Sequence, residues 1–245
     1  MAYPGGKHFF AAITAPLHRK KGAYFILPLL KPATRKDIVL LFSPHPDDET
    51  FFAGGYLAAA LQAKASVHVV LISDGNKHGH TEERIAEFQR AMRLLGVERH
   101  NLEFYLLPDG TLIKQSSIFR SKVVESLTRI MPTIVLGPHC SDAHSDHKLV
   151  AEVLREEVSC TLLAYLTHFP PRFPFPRKHD PKLPLLPPKK LESQSWYSFP
   201  LDSHIQDLRR VACAAYKREL NTPTLRSLLL AFDRTNELFV VRKPE

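Results

Sequence analysis

From residue 37 onward, short runs of β-branched and aliphatic residues alternate with longer stretches whose apolar positions recur at helical spacing. That alternation is what βαβ units and a mostly parallel sheet produce. Strand-like runs fall at 38–43, 67–73, 102–107, 133–137 and 161–167, each apolar nearly throughout. Such strands need cover on both faces. Between them, 50–62, 81–95, 116–130 and 147–158 read as helices, with Gly96 as a stop after the second and Pro132 closing the third. Further on, 202–220 and 223–233 read as helices and 238–242 as a last short strand. The pattern predicts an α/β fold in one domain over 1–245: a Rossmann-like, mostly parallel sheet with helices on both faces and the active site at the carboxyl ends of the strands.

Two segments stand outside this rhythm. Residues 170–190 hold eight of the 20 prolines, which excludes helix and interior strand, so 168–192 reads as a Pro-rich basic insertion. Residues 1–37 have no clear period and read as a basic N-terminal arm, either packed on the core or partly disordered. Charge is concentrated in the same places: of the net +8, residues 1–37 contribute +6 and residues 170–190 contribute +5, which leaves −3 for the rest. A fold-wide nucleic-acid surface is therefore not expected, although two basic patches are. The three cysteines are odd in number with no close pair, so they read as reduced thiols rather than a disulfide framework or a Cys-based zinc cluster. No uncharged apolar run approaches the roughly 18 residues that span a bilayer. The first thirty residues also lack the layout of a secretory signal, so a cytoplasmic protein is expected.

Chemistry collects just beyond the predicted strands. The first runs into Pro44-His45-Pro46-Asp47-Asp48-Glu49, the second into Ser73-Asp74-Gly75 and the third into Pro108-Asp109-Gly110. The fourth runs into a stretch containing His139, Asp142, His144, Asp146 and His147, and the fifth ends near His168. A catalytic zinc takes about three N or O ligands and keeps one position open. His45, one of Asp47 or Asp48, and one of His144 or His147 can supply that set, leaving the other aspartate to face the activated water. The plainer reading of Asp47-Asp48-Glu49 is an acidic cap on the following helix. The plainer reading of His144-Ser145-Asp146-His147 is a solvated helix start. Together, at the ends of two strands, they point to a metal site.

The same residues resemble the PIG-L/LmbE-like family of zinc-dependent sugar N-deacetylases. Ser43-Pro44-His45-Pro46-Asp47-Asp48-Glu49 is similar to its first signature, and His144-Ser145-Asp146-His147 to its His-Pro-Asp-His signature, with Ser145 in place of the proline. Arg84-Ile85-Ala86-Glu87, Leu107-Pro108-Asp109-Gly110 and the helix near Lys217 extend the likeness, which is good over about 37–167 and weak over the last forty residues.

The resemblance implies zinc as cofactor, with another divalent ion such as Fe2+ compatible, held by His45, Asp48 and His147. It implies Asp47 as general base, and His144 as oxyanion stabiliser and donor to the leaving amine, oriented by Asp146 and gaining proton affinity from it. It further implies Arg84 and Asp109 as contacts to sugar hydroxyls. Asp74 reads as an Asp-Gly turn, His78 and His80 as solvated loop histidines, and His68 as a core residue. His139 and Asp142 read as partners of the ligating imidazoles, and His168 as a rim residue. The implied substrate is an N-acetylated amino-sugar conjugate. The basic segments, Arg172, Arg177, Lys178, Lys182, Lys189 and Lys190 among them, suit an anionic aglycone or an anionic lipid surface. The competing readings are a metallohydrolase acting on another amide, ester or phosphate, a non-catalytic carbohydrate-binding relative, and a nucleic-acid binder.

Overall fold

The computed structural model describes residues 27–76, 79–169, 173–174 and 178–244. Its elements run β1 (Ile38–Ser43), α1 (Asp48–Gln62), β2 (Ser66–Ser73), α2 (Thr81–Leu95), β3 (Leu102–Leu107), α3 (Ser116–Ile130), β4 (Ile134–Pro138), α4 (Ser145–Glu157) and β5 (Thr161–Tyr165). They continue with β6 (Trp196–Pro200), α5 (Ser203–Cys213), α6 (Lys217–Asn221), α7 (Pro223–Leu230) and β7 (Asn236–Arg242). The strands form one sheet in the order β3-β2-β1-β4-β5-β7-β6, with β1 to β5 parallel and β7 antiparallel to both of its neighbours. The chain winds outward from β1 through β2 to β3, then returns to place β4 on the other side of β1. The β1/β4 boundary is thus the topological switch point, where open α/β sheets leave a crevice beyond their carboxyl ends.

Alternate residues of the central strands enter opposite cores, as the pleat requires. Val39, Leu41, Val69 and Leu71 face the core built with α1, α2 and α5, whereas Leu40, Phe42, Val70 and Ile72 face the one built with α3 and α4. Helix α2 buries Phe88, Ala91, Met92 and Leu95 on one stripe and ends on Gly96 at φ 96°, whose left-handed turn returns the Gly96 and Val97 amides to the Met92 carbonyl. Helix α1 is instead buried on nearly all sides, because it lies between the sheet and α5.

Several elements depart from the sequence reading. Strand β6 was not foreseen: Trp196–Pro200 is short, polar at Ser198 and ends in proline, and it is a strand because all five residues pair with β7. The single helix expected over 202–220 is two, broken at 214–216, where Tyr216 turns inward to donate its hydroxyl to buried Glu49. Strand β5 ends at Tyr165 rather than at residue 167, since the Thr167 and His168 amides turn to the Asp142 carboxylate.

The Pro-rich stretch is not a free excursion. Arg234 donates to the Asp180 and Lys178 carbonyls at 3.0 and 3.1 Å, Asn236 brackets Leu185 through both amide atoms, and Phe173 and Leu185 are buried. Because β7 runs antiparallel to β5, Asn236 lies at the carboxyl end of the parallel strands, and the stretch covers that rim. Of its basic and aromatic residues, Arg172, Arg177 and Phe175 lie outside the described residues, as do residues 1–26 of the arm and His78. The end of the arm pairs with the outer edge of β6, with Leu30 N–H donating to the Ser198 carbonyl and Ser198 N–H to the Pro28 carbonyl, both at 2.9 Å. Among the described residues, no helix is long and apolar enough to cross a membrane.

Candidate metal centre and active site

Two loops meet at the switch point, one leading from β1 into α1 and the other from β4 into α4. They bring together residues about a hundred positions apart. His45 Nδ1 lies 3.2 Å from His147 Nε2 and 3.2 Å from Asp48 Oδ2, and His147 Nε2 lies 3.1 Å from that same oxygen. The three residues are at most 8% exposed. His144 closes on the group from one side, its ring centroid 4.7 Å from that of His45.

The neighbours of each ring dictate which nitrogen carries hydrogen. His45 Nε2 faces two acceptors, Asp109 Oδ1 at 3.2 Å and Asp146 Oδ2 at 3.3 Å, so the hydrogen sits there and Nδ1 presents its lone pair. His147 Nδ1 faces Asp142 Oδ2 at 3.3 Å and Thr167 Oγ1 at 3.1 Å. The Thr167 hydroxyl can only donate to the Asp142 carboxylate, 2.7 Å away, so toward His147 it can only accept. His147 therefore carries hydrogen on Nδ1 and a lone pair on Nε2. Three lone-pair-bearing atoms consequently face one another. A proton can bridge two of the three, whereas one ion can bridge all, and an ideal tetrahedral zinc site sets such ligand atoms about 3.3 Å apart. The donor set fits a divalent ion held by His45, Asp48 and His147.

The same need for positive charge governs the protonation equilibria. Burial opposes charge on His147, but Asp48 and then Asp142 outweigh it and raise its pKa to about 9. His45 is raised well above the ordinary value against its burial, through Asp109, Asp146 and Asp48. Burial opposes ionisation of Asp48 and Asp142 too, yet the facing imidazoles hold both carboxyls far below the usual range.

Asp47 differs from Asp48 in every respect. Its backbone sits at φ 128°, a conformation side-chain-bearing residues rarely adopt and that costs of order 1–3 kcal/mol. Three contacts hold it there: its amide donates to Glu49 Oε2 at 3.2 Å, while Arg84 Nη2 holds the Pro46 carbonyl at 2.8 Å and Asp47 Oδ2 at 3.3 Å. Its side chain caps no helix amide, so the acidic-cap reading of this run does not describe what Asp47 does. Burial and the adjacent Asp48 push its pKa well above the ordinary value, with Arg84 pulling the other way.

Other residues take places the sequence did not indicate. Asp146 does not orient His144 through its carboxylate, which instead accepts from the Gly110 amide at 2.8 Å and the Leu112 amide at 3.3 Å and faces His45. Only the Asp146 backbone amide reaches His144, donating to Nδ1 at 3.2 Å and thereby leaving hydrogen on Nε2. Burial, with His45 and His147 nearby, holds the His144 pKa down to about 4, opposite to the gain in proton affinity expected from Asp146.

Arg84 is enclosed rather than free for sugar hydroxyls: beyond Asp47 it lies 3.6 Å from Asp109 and 2.8 Å from Glu219. Asp109 turns its carboxylate to His45 and Arg84. Asp74 forms the expected turn, accepting from Asn76, and also holds the Asp109 amide at 3.1 Å. Partly buried His80 faces Glu83. His68 is half-buried on β2 beside Ser66, not within the core. His139 is stacked on Trp196, away from the ligand set. Asp142 partners His147, as expected of a residue beside the second motif. Thr167, Glu219 and Tyr216 carried no signal in the sequence, since hydroxyls and single carboxylates far from a motif look alike until the fold juxtaposes them.

Residues 40–158 match the PIG-L family model, described as GlcNAc-PI de-N-acetylase. Over that span, just under half of the chain, the sequence is similar to that family, and the span includes every residue named around the lone-pair triangle except those contributed from beyond β5. The fold is shared with the N,N'-diacetylchitobiose deacetylase from Pyrococcus horikoshii, at 18% identity and TM-score 0.63 over 84% of each chain. It is shared with the A40926 pseudoaglycone deacetylase, at 18% identity and TM-score 0.63 over 85% of this chain and 98% of that one. A 4-carboxy-2-hydroxymuconate hydratase from Pseudomonas putida also has it, at 18% identity and TM-score 0.56 over 79% of this chain and 82% of that one. Among curated proteins, none matches in sequence.

Proposed function

We propose that this chain is a zinc-dependent hydrolase that removes the N-acetyl group from an N-acetylglucosamine-type conjugate, releasing acetate and a free amine. The observation that carries the reading is the triangle of lone-pair-bearing atoms on His45, Asp48 and His147, with a second, differently held carboxylate beside it. The family description and the deacetylase names of two structural neighbours support an amide as the bond cleaved. Zinc suits the two-imidazole, one-carboxylate donor set, and Fe2+ would be tolerated by it.

When bound, such an ion lowers the pKa of a water molecule and polarises the acetyl carbonyl. The chain's own groups do the rest. Asp47, raised in pKa and pinned by Arg84, would serve as the base toward the attacking water. His144 presents Nε2–H, a donor for the oxygen on which negative charge develops and for the nitrogen that must be protonated before it leaves. Asp142 and Thr167 keep His147 in its ligating tautomer, and Asp109 with Asp146 does the same for His45. Arg84 thus acts in this reading as the clamp on Asp47, and Asp109 as a partner of His45. Exposed Lys182, Lys189 and Lys190 beyond the carboxyl rim supply positive charge for an anionic aglycone or lipid headgroup.

Asp47→Asn is expected to keep a full equivalent of metal while acetate release falls by about 10²–10⁴. His147→Ala is expected to lose the metal itself. Elemental analysis paired with a free-amine assay distinguishes the two, and the reverse pattern would exchange the roles given to Asp47 and His147. The second reading, chemistry on a different substrate, is favoured by the hydratase that shares the fold. A metal-loaded protein that releases no acetate from any N-acetyl sugar would support it.

A further inference from the structure

Beyond the triangle, the end of β5 delivers a fourth imidazole to the mouth of the site. His168 Nδ1 lies 2.6 Å from Thr167 Oγ1 and 3.5 Å from Asp142 Oδ1, and its ring centroid is 5.8 Å from that of His144. The Thr167 hydroxyl hydrogen is committed to Asp142, and Asp142, anchored by the Thr167 and His168 amides at 3.0 Å, is an acceptor only. Both groups facing His168 Nδ1 are therefore acceptors, and that nitrogen carries the hydrogen. Its opposite nitrogen, Nε2, is left with the lone pair, and the side chain is 40% exposed. His144 is the mirror case: its Nδ1 accepts from the Asp146 amide, so its Nε2 bears hydrogen. The mouth of the site is thus flanked by one imidazole nitrogen placed to donate and one placed to accept.

We infer that His168 is a substrate-binding residue whose Nε2 accepts a hydrogen bond from a hydroxyl on the carbon next to the one bearing the acetamido group. This deepens the deacetylase reading and rests on it. Such a sugar presents a carbonyl oxygen, which needs a donor, beside a hydroxyl, which needs an acceptor, and the His144/His168 pair offers one of each. The preferred substrate class is then a 2-acetamido sugar with its 3-hydroxyl free, rather than an N-acetyl group on an unsubstituted alkyl chain or on a sugar substituted at that oxygen.

The test uses the full, zinc-loaded chain and two substrates, an N-acetylglucosamine glycoside and its 3-deoxy analogue. Wild type is expected to show a KM about tenfold higher for the deoxy sugar, the worth of one hydrogen bond to a partner left unpaired, with little change in kcat. His168→Phe should show the same rise on the complete sugar and no further rise on the deoxy one, with zinc content unchanged. His168→Gln, which returns an acceptor oxygen near the Nε2 position, should restore most of the loss. If wild type handles both sugars equally, or if the Phe variant penalises both alike, the inference falls while the deacetylase reading stands. If wild type releases acetate from neither sugar, nor from other N-acetyl sugars, the reading itself fails and takes the inference with it.

Discussion

At the residue scale, the site is organised by carboxylates that choose which imidazole nitrogen is protonated, more than by the ligands themselves. Asp146 is the clearest case. Adjacent to His147 in sequence and two residues from His144, it reads as a partner of His144, yet its carboxylate spans to His45, 101 residues away, and to the Gly110 and Leu112 amides. Asp146→Asn replaces one acceptor oxygen with an amide nitrogen that cannot accept, so His45 loses part of what fixes its tautomer. The expected result is a drop in zinc affinity of about 10–100-fold, seen in competition with a chromogenic chelator, with kcat of the fully loaded protein much less affected. A variant with native affinity and a crippled kcat would return Asp146 to the service of His144.

At the element scale, α1 carries the first loop, and its position depends on a contact no periodicity reveals. The Glu237 carboxylate of β7 accepts from the Gly55 and Tyr56 amides at 2.7 and 2.8 Å, midway along the helix. A Cβ on residue 55 would meet Leu201 Cδ2 at 2.4 Å and a Glu237 oxygen at 3.0 Å. Gly55→Ala should therefore be destabilising by about 1–3 kcal/mol through overpacking, although alanine is the better helix former. A chemical denaturation midpoint would register this, and a midpoint equal to or above that of wild type would remove the argument. Boundaries were least legible where tertiary partners overrode local preference. Tyr216 breaks a helix that the sequence continues, because its hydroxyl is needed at Glu49, and β6 is a strand through its pairing with β7 on one edge and the end of the arm on the other.

At the scale of the whole molecule, the buried triangle links stability to both pH and metal. His147 has its pKa raised from 6.5 to about 9 in the fold, Asp48 and Asp142 overcoming its burial. A group raised on folding stabilises fully below its unfolded value and loses that contribution as pH climbs through the folded one. Chelator-treated protein should thus melt at progressively lower temperature between pH 6.5 and about 9. Zinc should flatten that slope by occupying the lone pair the proton would take, and at a hundredfold excess over Kd it should add about 2.7 kcal/mol. Melting curves across that range with and without zinc check both; a chelated protein with no slope would deny the triangle its need for charge.

The order of strands and helices from β1 to β5 and the gathering of the motif residues on one rim were legible in the chain alone. Period two and period 3.6 are imposed by sterics within a few residues, and a short loop after a strand can only emerge at that strand's carboxyl end. Hence the runs around His45 and His144 announced a common rim. The fold alone decided the pairings: that Asp146 serves His45, that Arg84 is clamped between Asp47 and Glu219, and that the Pro-rich stretch is fastened by Arg234 and Asn236. Hydrogen bonds are won or lost over a few tenths of an ångström, between groups brought from opposite ends of the sequence, and no local pattern encodes distances of that kind.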